Sequence, residues 1–141
     1  MLAPYRCFWR KWLYKRRNEN DRRNEKIFDD YNLRITATTV RVPVSNCNSE
    51  SVNVEFYNDF DLEELRNTLK DSPGIILVDD PEKNLYPLAS LANGNDEVFV
   101  GRIRRDESVD CGINIWIVAD NIRKGAATNA VQIAESLIKN I

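Results

Sequence analysis

The chemistry open to this chain is bounded first by a residue type it does not have. Its 141 residues contain no histidine. A Ser-His-Asp triad, a Cys-His pair and a histidine-ligated zinc centre each need an imidazole as base or ligand, so none can be built within it. Three cysteines remain as candidate thiols: Cys7, Cys47 and Cys111. Their odd number and the lack of any C-x-x-C spacing argue against a disulfide framework and for a reducing, cytoplasmic setting.

The other conspicuous chemistry lies in the opening, MLAPYRCFWRKWLYKRRNENDRRNEK. It holds nine Lys/Arg against three Asp/Glu, and two of the three tryptophans. The remaining residues carry 11 basic and 19 acidic side chains, so the net charge of -2 conceals a divided chain. Aromatics interleaved with cations could stack on and neutralise single-stranded nucleic acid. Phe8, Trp9, Trp12 and Leu13 among basic residues could instead form a helix lying in a membrane surface. The plain alternative is a solvated basic arm. No run approaches the length of a membrane-spanning helix, and no apolar stretch near the start resembles a secretory signal.

The elements that would carry any site begin at Leu33. LRITATTVRVPV alternates and is rich in β-branched residues, which predicts a strand, with Pro43 at an edge or bend. SVNVEFY places Val52, Val54 and Phe56 on one face of a second strand. Asp59 or Asp61 can cap a helix whose Leu62, Leu65 and Leu69 share a face. DSPG stops it. GIILV suits a buried strand, and DDPEKNLYP is a loop. EVFVGRIRRD alternates Val98, Val100, Arg102 and Arg104 with Phe99, Gly101 and Ile103. CGINIWIVAD alternates Ile113, Ile115 and Ile117 with Asn114, Trp116 and Val118. The end, NIRKGAATNAVQIAESLIKNI, has Ala127, Ala130, Ile133, Ala134 and Leu137 at helical spacing, an apolar face that something must cover. The order β-β-α-β-β-β-α predicts an α+β domain: a mixed, largely antiparallel sheet with helices on one face and a C-terminal helix. Spacing alone identifies no active site.

Four strings say more. ATTVRVPVSNCNSESVNVEF, SPGIILVDDP, VFVGRIRRD and GINIWIVADNIRKGAATNAVQIAE together resemble the C-terminal half of the aspartate-semialdehyde dehydrogenases, in that family's order and approximate spacing. The resemblance covers about residues 27–141. It implies the catalytic and dimerisation domain at 27–119. It also implies a closing helix at 120–141 that in the family packs on the NADP-binding domain. The family reaction is NADPH-dependent reduction of aspartyl phosphate to aspartate semialdehyde, through a cysteine thioacyl intermediate with a histidine as acid–base partner. That cysteine and the glycine-rich loop belong to the preceding part of the family sequence, and neither is found in this chain.

Residue by residue, the family's RVPVxxxHSE block places its substrate-binding arginine on Arg41, whose guanidinium can grip a carboxylate through two hydrogen bonds. The block's histidine falls on Asn48. An amide does not titrate near neutrality and cannot take a thiol proton; losing a general base costs roughly 10²–10⁴ in rate. Cys47 precedes it where the family has a small residue. With no base beside it, its plain reading is a weakly polar buried side chain at a strand end. Asn121 matches a position that contacts the nicotinamide end of the cofactor, and could also serve as a helix N-cap.

Upstream, the family motif resembles GYTxEExKMxxETKKI, where this chain has WLYKRRNENDRRNEKI. Back-translation of residues 6–26 with A-rich codons, read one base later, gives DVFGENGYTKEEMKMIEETK and rejoins the chain at Lys26. Residues 1–26 are therefore expected to be a degenerate basic segment, out of frame and not selected to bind anything. The resemblance then implies a truncated dehydrogenase, inactive alone, that keeps at most its dimerisation surface. Partners are expected to be a second copy or a paralogue through that sheet, with no specific nucleic acid and no membrane. NADP is implied by the family, but this chain alone is not expected to bind it, and no metal is expected. The alternatives are half of a split dehydrogenase completed by a separate N-terminal chain, and a basic-arm module that binds polyanions.

Overall fold

The structure, a computed structural model, describes Asp29 and residues 35–139. The basic opening and the frame-shift reading of residues 6–26 therefore lie outside the described residues. The chain divides into two compact units, Met1–Pro43 and Val44–Ile141. In the first, residues 35–43 form no strand, contrary to the expectation for LRITATTVRVPV. Ile35, Val40 and Val42 are exposed. β-branched residues favour a pleated, half-buried surface rather than an extended backbone as such, so without a neighbouring ladder their preference makes no strand.

The second unit is a four-stranded sheet: β1 (Asn48–Glu55), β2 (Ile75–Leu77), β3 (Val98–Asp106) and β4 (Gly112–Ala119), in the order β1-β4-β3-β2. β1 and β3 both run antiparallel to β4, and β2 runs parallel to β3. The expected mixed, largely antiparallel α+β sheet is present. β2 sits at an edge and is only half-buried, where GIILV had suggested a buried strand. Its apolar run is short because it fills one edge position above a helix.

That helix, α1 (Leu62–Asp71), is capped by Asp61, whose side chain accepts from the Glu64 N–H at 2.8 Å. Glu63 and Glu64 in its first turn and Lys70 in its last complement the helix dipole. Leu62, Leu65 and Leu69 pack with Ile75, Leu77 and Val54 around Val100, Ile103 and Ile113. On the other sheet face, a four-residue helix α2 (Ala89–Ala92) brings Ala89 and Ala92 against Cys47, Phe99, Val118 and Trp116. So short an element leaves no periodic signal in the sequence.

β4 alternates as its pattern implied. β3 does not: strict alternation puts Ile103 with Phe99, yet it packs with Val100. The cause is a register shift between Gly101 and Arg104, with Arg102 at φ +51°. The Asp79 carboxylate holds this bulge. It accepts from the Arg102 N–H at 2.7 Å and the Ile103 N–H at 3.2 Å, and pairs with the Arg66 guanidinium at 2.5 Å. Gly101 must be glycine for packing: a Cβ there would press on the Val78 carbonyl and lie 2.6 Å from Pro87 Cδ.

After β4 the chain enters a π-helical turn (Arg123–Ala127) and then α3 (Thr128–Lys139). No residue of α3 is buried, and Val131, Ile133, Leu137 and Ile138 are all exposed. The expected apolar face exists, and it is not covered within this unit. Among the described residues no helix is long and apolar enough to cross a membrane, and no cluster of His, Cys, Asp or Glu could hold a metal ion.

Candidate functional site

Two of the sequence-derived candidates, Asn48 and Asn121, meet where β1 begins and β4 ends. Asn48 opens β1 opposite Ala119, and Asp120 and Asn121 follow directly. Antiparallel pairing thus brings Asn48 and Asn121 to one end of the sheet although 73 positions separate them. Arg41 belongs to the first unit, where it is exposed.

Cys47, just before β1, is buried and adopts φ +78°. An L-residue in this left-handed region is strained by roughly 1–2 kcal/mol, a cost only glycine would escape. Its N–H donates to Asn121 Oδ1 at 2.9 Å, and its Sγ lies 3.4 Å from the Ala89 carbonyl oxygen. Burial, and then the negative charge of Asp120, push the thiol above its ordinary pKa. Both effects favour the neutral thiol, the opposite of what a nucleophile needs. The plain reading of Cys47 as a packing residue therefore fits its surroundings.

Asn48 itself is exposed. Beside it, Asn46 Nδ2 donates to Asn93 Oδ1 at 2.9 Å, tying the entry to β1 to the turn after α2.

The residue that sequence reasoning missed is Asp120. It is 3% exposed. Its Oδ2 accepts from the Gly94 N–H at 2.8 Å, and its Oδ1 from the N–H groups of Ile122 at 2.8 Å and Arg123 at 3.2 Å. These amides hold its carboxyl below the usual carboxylate range, the Gly94 bond contributing most. Asp120, not Asn121, therefore satisfies the first amides of the turn that leads into α3. The N-cap role expected of Asn121 is corrected accordingly, since its side-chain oxygen is committed across the sheet end to Cys47. The signal was present in VADN: an acidic residue ending an apolar strand directly before a helix has free amides to accept from. Arg123 then pairs with Asp96 at 2.9 Å, and Asp96 also accepts from the Thr128 hydroxyl at 2.9 Å.

A separate open cleft of about 370 Å³ is lined by residues including Ser49, Tyr86, Leu88, Arg102 and Trp116. Neither Asn48 nor Asn121 lines it, although Ser49, which follows Asn48, and Ala89, which touches Cys47, both do.

The family model for the semialdehyde dehydrogenase dimerisation domain matches residues 13–124, beginning inside the basic opening. The aspartate-semialdehyde dehydrogenase of Aquifex aeolicus is 48% identical over 132 residues, covering 94% of this chain and 39% of that protein. The Legionella pneumophila enzyme is 52% identical over 113 residues, covering 79% and 33%. Among solved structures, aspartate semialdehyde dehydrogenase II from Vibrio cholerae complexed with ASA superposes with a TM-score of 0.77. Identity is 44%, over 84% of this chain and 35% of that one. The chain thus spans about a third of the length of the relatives it matches. With the matched sequence and the superposed sheet in agreement, this chain belongs to the semialdehyde dehydrogenase family, in its dimerisation domain.

Proposed function

We propose that this chain supplies the dimerisation half of an aspartate-semialdehyde dehydrogenase and has no turnover of its own. The superposition on the Vibrio cholerae enzyme carries the reading. The family's acid–base position supports the inactivity: Asn48 occupies it, and no histidine elsewhere in the chain can substitute. Arg41 keeps the substrate-binding guanidinium of the family pattern. The retained property is association with a second copy or a paralogue. Among the described residues β1 is an edge strand of the sheet, and an unpaired edge is a template for association.

For NADP, the fit is partial. Asn121 Oδ1 is already held by the Cys47 N–H, which leaves its Nδ2 to donate to a nicotinamide carboxamide oxygen. When bound, NADPH supplies hydride to the acyl intermediate. This chain's own contribution would be to orient the ring through Asn121.

The experiment is sedimentation equilibrium across a hundredfold concentration range. A reversible dimer supports the reading, whereas a monomer at every concentration refutes the retained surface. A second reading, half of a split enzyme, is favoured only by the survival of Arg41 and Asn121, and turnover on mixing with a separate N-terminal half would establish it.

A further inference from the structure

We propose that Asn121 is a positioning residue for the side chain at position 48, holding the Cys47 peptide with its own amide oxygen. This rests on the reading of position 48 as the family's acid–base site. Cys47 is the residue from which β1 departs, and its φ of +78° is one that an L-residue keeps only where its surroundings enforce it. The Asn121 bond acts on its backbone directly, one residue before the Asn48 Cα, at 2.9 Å. An N–H donor facing the side-chain oxygen also settles which way the Asn121 amide is turned.

Asn121 is itself fixed from the preceding residue. The buried Asp120 carboxylate takes the amides of Gly94, Ile122 and Arg123, so the backbone carrying Asn121 is tied both to the turn after α2 and to the start of the closing helix. The start of β1 is thereby clamped to the end of β4 by a side chain rather than by the ladder alone. The consequence is a coupling. Oδ1 and Nδ2 lie in one rigid amide plane. An acceptor that draws Nδ2 away from its present direction would therefore turn the plane whose other end holds Cys47, and so shift the point from which the side chain at 48 projects.

The chain's lack of histidine makes the test direct. Asn48→His introduces the sole imidazole, whose ring protons and titration can be followed by NMR without interference, alongside exchange of the Cys47 amide. Adding Asn121→Ala is expected to speed that exchange about tenfold and to move the imidazole resonances and titration midpoint. Amides in β3 should be unchanged. Adding Asn121→Asp instead keeps an acceptor and is expected to restore slow exchange. Uniform acceleration throughout the sheet would mark a merely structural role and overturn the proposal, as would an unchanged imidazole. Should Asn121→Ala not fold, the unmodified protein still decides: a Cys47 amide exchanging as fast as that of exposed Tyr57 refutes the clamp. None of these readouts involves turnover, so their failure leaves the acid–base reading of position 48 standing, and the reverse also holds.

Discussion

Asp79→Ala is the perturbation that most severely tests how this sheet is built. The Asp79 side chain is 2% exposed. It accepts two backbone amides at the β3 bulge and pairs with Arg66, whose side chain is 20% exposed. Arg66 Nη2 also donates to the Ile103 carbonyl at 2.7 Å, and its Nε lies 3.7 Å from Glu63 Oε1, too far for a hydrogen bond. Removing the carboxylate would leave a largely buried guanidinium without its close anion and two bulge amides without an acceptor. Breaking one side of such a pair costs about 3–5 kcal/mol. Domains of this size have about 5–15 kcal/mol in total. With a urea m-value of about 1.5 kcal/mol/M, the midpoint should fall by about 2–3 M. Asp79→Asn, which keeps one acceptor, should lose about half as much. Equilibrium urea unfolding monitored by tryptophan fluorescence and by circular dichroism measures both. Arg66→Ala combined with Asp79→Ala should be less damaging than the sum of the two, because the second change removes the orphaned charge. A midpoint shift below about 0.3 M for Asp79→Ala, at unchanged m, would show that the carboxylate does not hold the bulge.

Acid should destabilise the second unit through Asp120. Its folded-state pKa is depressed, so its contribution is present above the unfolded value of about 3.9 and is lost as pH falls through the folded pKa. Asp120→Asn should lower stability at pH 7 and flatten this acid limb. An acid limb as steep in the variant as in the parent, followed by urea midpoints from pH 7 to pH 2, would contradict the assignment. Cys47 should alkylate more slowly than Cys111 at pH 8, since burial raises its pKa whereas Cys111 is only partly buried. Peptide mapping after iodoacetamide treatment reads the order, and faster modification of Cys47 would mean that it is activated after all.

Much of the fold was legible because period-two patterns survive burial. β4 keeps its alternation because both faces of a central strand are packed, by α1 and β2 residues on one side and by α2 on the other. The helix cap at Asp61 was legible because it is local chemistry. The bulge in β3 was not, because its cause is a carboxylate 23 residues away whose partner is a backbone amide, and no pattern within EVFVGRIRRD records it. The strand expected before Pro43 failed for the converse reason, since a local propensity was read where a ladder partner decides. At the site, the resemblance located Asn48 and Asn121, and strand pairing brought them together. What it could not foresee is that Asn121 spends its oxygen on Cys47 and that Asp120 does the capping. Both depend on which amides the tertiary fold leaves without partners.

On the proposed reading, Asn48 leaves this dimerisation half without turnover. The most direct measurement mixes the chain with the separately expressed nucleotide-binding half of a relative such as the Aquifex aeolicus enzyme. NADP reduction is then followed with aspartate semialdehyde and phosphate, for the unmodified chain and for Asn48→His. The unmodified chain should give no rate above that of the nucleotide-binding half alone, and Asn48→His a gain of about 10²–10⁴. Turnover by the unmodified mixture within about tenfold of the Asn48→His mixture would contradict it, because an amide at position 48 would then suffice for the proton transfer that the loss of histidine is held to abolish.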